Sequence, residues 1–364
     1  MTEIARTSAG PRGLSVPRPP TWILGWWLVG RVVVLASALA ARPTLWTLSR
    51  WDGIWYLRVA RGGYLLVPGR PSDTAFFPLY PVALRALHHL GLGWGAVGPV
   101  VSNAAFLLGL VLFHMLSREV MGEEIARRAT TYLAIFPLAY VFSMTYPESL
   151  ALVFIAGAPL AAMRRHWWLA AACAACAALT RPEAIFLALP LGGIAWSQRR
   201  ELGVWSRGAA VAATLAPLAA LAAFSLYLGT VLNDPFAWME AQRAWGRSFY
   251  ATGLFHAIAH LPSAVFSGGW GARDAVFFLL YLGLMAVAWR ARVPKLWIAA
   301  GAGAVILPVF SGEFTSDARF GLLAPAVFWA LAAVTGNSRA RRAVIAVSLS
   351  LLVLWTVALP YVVP

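Results

Sequence analysis

Apolar residues gather along this chain in blocks mostly of roughly 16 to 22 residues, close to the length a helix needs to cross a bilayer core of ~30 Å. The blocks fall at 22–41, 96–116, 130–146, 149–163, 167–181, 184–197, 208–229, 274–290, 296–311, 320–336 and 343–363. No water reaches the hydrocarbon layer, so each backbone polar group must be satisfied within its own segment and the blocks predict helices. The pattern therefore predicts an all-α, polytopic transmembrane bundle of about 11 spans. A further apolar segment, 76–92, is broken by Pro78 and Pro81 and carries Arg85, His88 and His89, and it reads as a re-entrant or interfacial piece. The tail 1–21, rich in Pro, Gly, Ser and Arg, reads as a disordered cytoplasmic segment, and 22–364 as one membrane domain. The last residues, with Pro360 and Pro364, are expected to fray. Two segments, 42–95 and 230–273, interrupt the short connections, and loops of that length are uncommon unless they do something.

Composition agrees and excludes a water-soluble domain. Charged residues make up 12% and hydrophobic residues 60% of the chain, against about 25% charged in soluble domains. The 18 Trp and 10 Tyr often sit near block ends, as an interfacial aromatic belt requires. With a cytoplasmic N-terminus, the inner segments collect roughly 17 of the basic residues and the outer ones roughly 11, with Arg31 inside a span. Both long loops then lie outside. Membrane orientation absorbs most of the formal charge of +15, and no nucleic-acid partner is needed to explain it. Ala38-Leu39-Ala40 loosely resembles a signal-peptide cleavage site, but the block is long enough to span and follows a long tail, so it reads as uncleaved.

Candidate chemistry concentrates in the first outer loop. On a helix, Trp51, Trp55 and Arg58 share one face, and Asp52 projects beside them with Arg50 close in sequence. A carboxylate at the edge of the apolar layer is costly unless it is paired or used. Asp52 is therefore either a catalytic or binding acid or half of an Arg50–Asp52 surface pair. Arg31, within a span, demands an interhelical partner. Glu148 and Glu183 follow spans beside prolines and read as partners for arginine or as helix-start caps, Glu183 leaning to the cap. Asp234 and Asp274 read as caps. Cys173 and Cys176 lie in an Ala-rich span and read as small packing residues. His256 and His260 have no acid nearby to complete a metal site, and no metal is expected. No Walker loop or D-x-D is present, and no cofactor is expected.

Several of these residues sit in a series of matches. Arg50-Trp51-Asp52-Gly53-Ile54-Trp55-Tyr56, Ala60-Arg61-Gly62-Gly63-Tyr64 and Ala75-Phe76-Phe77-Pro78-Leu79-Tyr80-Pro81 resemble the first luminal loop of the PIG-V family, GPI mannosyltransferase II and its bacterial relatives. In order along the chain, Tyr146-Pro147-Glu148-Ser149-Leu150, Leu179-Thr180-Arg181-Pro182, Ala241-Gln242-Arg243-Ala244-Trp245-Gly246-Arg247 and, more weakly, Ser316-Asp317-Ala318-Arg319-Phe320 also resemble family segments. The matches span about residues 50–325, most of the chain.

The resemblance implies a GT-C glycosyltransferase fold with helical outer loops and a site on the outer side. It also implies a polyprenyl-phosphate-mannose donor and an inverting displacement with Asp52 as base. Arg319, Arg181, Arg243 and Arg247 are the outer-side candidates for the donor phosphate, with Arg243 and Arg247 one helical turn apart beside Gln242 and able to cover the sugar. Trp51, Arg50, Tyr56, Glu148 and Tyr80 complete the candidate site. The acceptor is open among a glycolipid of the GPI type, a cell-wall glycan and a protein. The bacterial style of the motifs implies a plasma (inner) membrane. Two other classes fit a polytopic chain: a transporter or flippase of lipid-linked sugar, and a non-catalytic membrane subunit. Charge concentrated in outer loops rather than spans favours surface chemistry over an ion pathway.

Overall fold

The computed structural model describes residues 20–361, so the tail 1–19 lies outside the described residues. Among them the chain is helical throughout. The first helices are α1 (Thr21–Ala41), α2 (Asp52–Gly62), α3 (Leu79–His89), α4 (Trp94–Met121) and α5 (Glu123–Ile135). They are followed by α6 (Glu148–Met163), α7 (Trp167–Thr180), α8 (Ala188–Gln198), α9 (Val204–Leu232), α10 (Ala237–Ala244) and α11 (Gly253–Phe266). The last are α12 (Gly269–Arg290), α13 (Lys295–Val309), α14 (Asp317–Phe320), α15 (Pro325–Val334) and α16 (Ser338–Ala358).

The multi-pass, all-helical architecture expected from the pattern is what the structure shows. Five helices, α1, α4, α9, α12 and α16, are each long and apolar enough to cross a membrane. A sixth span results if α14 and α15 are one element bent by 81°. Length and composition thus support five or six spans, against about 11 expected; α6, α7, α11 and α13 are shorter apolar helices. Two blocks that read as single helices are broken at proline. In 130–146 the helix stops at Ile135, ahead of Pro137, and a 3-10 turn covers Ala139–Ser143. In 320–336 the bend comes where Pro325 opens a new helix. Proline removes a donor and pushes the preceding residue out of the helical region. Segment 76–92 forms α3, which begins directly after Pro78.

The core runs through α4, α5, α6, α7, α12 and α15, and small residues let these backbones approach. A Cβ on Gly30 of α1 would sit 2.5 Å from the Ala134 carbonyl oxygen of α5. Arg31, the next residue, is buried and finds the expected interhelical partners. Its Nη1 donates to Ser143 Oγ (2.7 Å) and its Nη2 to the Ala139 carbonyl (3.0 Å), with the guanidinium 4.7 Å from the Phe106 ring centroid. The charge is carried by a 3-10 turn rather than by a carboxylate.

One junction positions the first long loop, 42–95. Thr145 donates its amide to the Leu48 carbonyl (2.8 Å), and its Oγ1 shares a hydrogen bond with Ser49 Oγ (2.7 Å). Gly53 on α2 and Gly98 on α4 lie on either side; a Cβ on Gly53 would come 3.1 Å from Thr145 Cβ, and one on Gly98 would collide with the Thr145 side chain. The glycine of Trp51-Asp52-Gly53 is therefore a contact residue. It lets the start of α2 settle on the turn that leads into Glu148.

The α1–α5 contact is open to test. Gly30→Ala is expected to cost about 1–3 kcal/mol, because a backbone carbonyl cannot move aside as a side chain can. Thermal unfolding in detergent should show a lowered midpoint for Gly30→Ala. Gly25→Ala on the same helix, where nothing lies within 4 Å, should leave it unchanged. Equal midpoints for the two variants would mean that α1 does not approach α5 at Gly30.

Candidate active site

Residues separated by up to 267 positions meet in one ionic cluster. Asp52, the first residue of α2, is held by Arg319 of α14, whose Nη1 lies 2.8 Å from Asp52 Oδ2. Arg319 is buried, whereas the Asp52 side chain is 29% exposed. The same Nη1 lies 3.8 Å from Glu148 Oε1, and the guanidinium stands 5.0 Å from the Tyr146 ring centroid. Glu148, at the start of α6, is fully buried and takes Arg181 Nη1 at 2.5 Å. Arg181 turns its other edge to Glu183, with Nη2 to Oε1 at 2.6 Å and Nε to Oε2 at 3.3 Å. Glu183 is thus the second carboxylate of a two-sided pair rather than a helix cap alone. Buried charges persist only when paired and hydrogen-bonded, and the alternation Asp52–Arg319–Glu148–Arg181–Glu183 meets that condition.

Arg50 is not the partner of Asp52. Its Nη1 donates to the Pro360 carbonyl (3.0 Å), and Trp51 Nε1 donates to the Leu359 carbonyl (3.1 Å). These carbonyls follow α16, so the end expected to fray is an anchor up to Pro360. It holds Trp51 at φ +58°, ψ −126°, a conformation that side chains larger than glycine rarely adopt and that tertiary contacts must maintain. Trp51 consequently leaves the helical face it was expected to share with Trp55 and Arg58. The latter two do meet, the Arg58 guanidinium standing 5.3 Å from the Trp55 ring centroid.

The second long loop, 230–273, enters through Arg247. Its Nη2 donates to Ser316 Oγ (2.9 Å), and Arg319 Nη2 donates to the same oxygen (3.0 Å). Ser316 has φ +68°, and its amide donates to Asp274 Oδ2 (2.6 Å), which fixes that conformation. Asp274 is buried within α12, not a cap. Its Oδ1 takes Arg273 Nε and Nη2 at 2.9 and 2.6 Å, and Arg273 Nη1 donates to Tyr140 Oη (3.0 Å). Sequence reasoning missed the pair Arg273–Asp274; the only local signal was an acid beside a base at a block edge.

The segment Gln242–Arg247 is a helix C-cap. The Arg247 amide donates to the Gln242 carbonyl (2.9 Å) and the Gly246 amide to the Arg243 carbonyl (2.9 Å), with Gly246 at φ +82°. These are the two bonds of a Schellman motif, and the left-handed residue is the glycine that such a motif selects. The turn points Arg247 at Ser316 and leaves Arg243 exposed, with no ion pair or side-chain hydrogen bond among the described residues. Gln242 contributes its carbonyl to the cap. Among the arginines joined in the cluster, Arg247 alone makes no ion pair. Burial pulls its guanidinium below the usual arginine range, and neighbouring Arg319 adds to the effect.

Tyr56 and Tyr80 stand behind the cluster as packing. Both are buried, with rings edge-to-face at 5.3 Å, and Tyr80 Oη bonds Ser102 Oγ (2.7 Å). Of the candidates, the structure therefore joins Asp52, Arg319, Glu148, Arg181 and Arg247. Trp51 and Arg50 are supports, and Arg243, Gln242, Tyr56 and Tyr80 lie outside the ionic chain. Of two cavities, only the second has members of the ionic chain in its wall. One, of about 440 Å³, is apolar and lies between α2, α3 and α9, with Val59, Tyr64, Val82, Phe224 and Leu179 in its wall and Arg85 as its basic side chain. The other is a narrow space of about 40 Å³ beside Arg181, Glu183 and Phe320. No group of three His, Cys, Asp or Glu able to hold a metal occurs among the described residues.

Comparison with known proteins bears on the same segments. No curated protein matches the chain. Among solved structures it is similar to the oligosaccharyltransferase AglB from Archaeoglobus fulgidus in complex with an inhibitory peptide and a dolichol-phosphate. That match has 14% identity and TM-score 0.46, covering 92% of this chain and 55% of that one. It is also similar to ArnT from Cupriavidus metallidurans bound to undecaprenyl phosphate, with 18% identity and TM-score 0.45, covering 86% and 60%. The chain spans little more than half the length of these two proteins. The resemblance drawn from the motifs is met most directly by sequence: residues 33–189, the stretch that carries Asp52, Glu148 and Arg181, match the family described as Mannosyltransferase (PIG-V).

Proposed function

We propose that this protein is a membrane glycosyltransferase that moves mannose from a polyprenyl-phosphate carrier to an acceptor hydroxyl, at the outer face of the plasma membrane. The observation that carries the reading is the position of Asp52. It is the partly exposed end of a buried ionic chain, beside an arginine that has no carboxylate of its own. The match of residues 33–189 to the mannosyltransferase family supports the sugar.

The reaction is a single inverting displacement. The acceptor oxygen forms a bond to the anomeric carbon, the bond from that carbon to the phosphate oxygen breaks, and the phosphate leaves with the electron pair. The acceptor proton passes to Asp52. Arg319 occupies Oδ2 and fixes the carboxylate plane, so Oδ1 is the atom that receives it. Fixed positive charge where negative charge develops is what lowers such a barrier. Arg181 is matched by two carboxylates and Arg319 by Asp52, so the phosphate falls to Arg247, with Ser316, which also accepts from Arg319 Nη2, beside it. The isoprenoid lies in the apolar groove of about 440 Å³, whose wall includes Leu179, two residues before Arg181.

Two outcomes test this. Purified protein incubated with radiolabelled polyprenyl-phosphate-mannose and a lipid extract should form a mannosylated product, and Asp52→Asn should lower turnover by about 10²–10⁴-fold while membrane insertion is unchanged. Wild-type turnover in that variant would remove Asp52 as base, and transfer from a nucleotide sugar alone would remove the donor. Arg247→Ala is expected to raise the donor KM by about one to two orders of magnitude, the value of a charge-assisted hydrogen bond. Arg247→Lys should recover only part, because the ammonium cannot make the planar two-point contact. An unaltered donor KM in both variants would move the phosphate to another arginine.

A further inference from the structure

Arg31 lies midway along α1, a helix long and apolar enough to cross a membrane, and the reaction as described gives it no part. Among the described residues its guanidinium is held by neutral groups alone: Ser143 Oγ, the Ala139 carbonyl and the face of Phe106. Its Nε is buried and has no hydrogen-bond partner among the described residues. Ser143 is free to accept because its own proton goes to Asn103 Oδ1 (2.9 Å). A cation inside the apolar layer is costly, and an apolar side chain of similar volume often serves stability as well or better. Stability therefore does not account for this charge. What it grips does.

Between Phe136 and Pro147 no α-helix forms, so this buried stretch lacks a continuous ladder of its own. The two groups that Arg31 bonds are the first and last residues of its 3-10 turn, Ala139–Ser143. A planar fork can bridge two such acceptors at once and fix the turn between them. From there the stretch reaches the ionic cluster at three points. Tyr140, within the turn, accepts from Arg273, whose partner Asp274 fixes Ser316. Tyr146, three residues past the turn, accepts the Asp52 amide on its Oη (3.3 Å) and lies under the Arg319 guanidinium. Glu148 follows, bonded to Arg181 and 3.8 Å from Arg319 Nη1. One short segment thus touches the carboxylate proposed as base, the arginine that holds it and the pair behind Ser316.

We propose that Arg31 is a positioning residue for the transfer: by fixing the turn Ala139–Ser143 it sets, through Tyr146 and Glu148, where Asp52 and Arg319 stand. This rests on the transferase reading above and adds to it a residue that touches neither substrate nor the reacting atoms. Its charge is spent on one arrangement of the segment rather than on holding the bundle together.

The experiment separates positioning from stability. In the purified full chain, Arg31→Met should leave the thermal midpoint in detergent at or above that of wild type. Its kcat should fall about 10- to 100-fold, the effect of a small misplacement of reacting groups, while the donor KM stays within about threefold. Arg31→Lys, which keeps a donor for one of the two acceptors, should recover part of the loss. Hydrogen exchange, measured without substrate, should be about tenfold faster at the Thr145 and Asp52 amides in Arg31→Met and unchanged in the middle of α9. Exchange needs no turnover, so it decides the positioning claim even if the wild-type protein proves not to be a transferase. Three results would overturn the proposal. One is unchanged exchange at both amides, with or without a change in kcat. Another is a midpoint that falls along with kcat, or a variant that no longer inserts, as for a residue that only holds the bundle. The third is a raised donor KM at wild-type kcat, as for a residue that serves binding alone.

Discussion

Arg319 is the constraint on which the site depends. One buried guanidinium joins Asp52 from the first long loop, Glu148 from the start of α6 and Ser316 from its own turn, and through Ser316 it meets Arg247 from the second long loop. Four stretches distant in sequence thus converge on one planar cation with a fork of donors. A lysine in its place would offer a single point charge and could not span them. The energetic logic is that of a buried network. Each charge costs several kcal/mol to desolvate, and the cost is offset only if every member is paired, so the network fixes one arrangement rather than adding much stability.

The supporting structure serves that geometry. Trp51 is held at positive φ by carbonyls at the far end of the chain, Ser316 by Asp274, and Gly246 by the two bonds of its cap. All three are left-handed residues next to a functional side chain: Asp52 follows Trp51, Arg247 follows Gly246, and Arg319 lies three residues after Ser316. A left-handed residue reverses the chain locally, which lets a side chain leave a helix end in a direction the helix itself cannot supply. Strain of this kind persists only where surrounding contacts over-determine it, and here each instance has a named contact.

Much of this was legible in the sequence, and the remainder was hidden for physical reasons. Hydrophobic block length gave the long helices α1, α4, α9, α12 and α16, because a bilayer sets a minimum apolar run. The motif segments put Asp52, Glu148, Arg181, Arg243, Arg247 and Arg319 in one candidate site, and the structure joins all of these but Arg243 in one cluster. The breaks at Pro137 and Pro325 carried a signal that the block pattern overrode. The pairing scheme carried none. Asp52 lies two residues from Arg50 and 267 from Arg319, and sequence distance favours the wrong partner. Asp274 read as a cap because its true acceptor role is toward an amide 42 residues away. The Gln242–Arg247 segment resembled a row of sugar and phosphate ligands. Its bonds make it first a helix ending, with only Arg247 delivered to the cluster.

The charge arrangement also accounts for how such a site could turn over. Asp52, Glu148 and Glu183 balance Arg181, Arg319 and Arg247 in sum, yet the charge of Arg247 is matched only at a distance. A sugar phosphodiester brings one negative charge to that position. In the proposed reaction Asp52 becomes neutral on accepting the proton, while the released phosphate monoester approaches a second negative charge. The charge lost at Asp52 thus reappears on the phosphate. Arg319 touches Asp52 with Nη1 and Ser316, beside the phosphate position, with Nη2. In the proposed reaction this one guanidinium would therefore stand between the carboxylate that takes the proton and the serine beside the leaving phosphate. The group that organises the resting site is therefore also placed to follow the charge across it, without any rearrangement of the buried network.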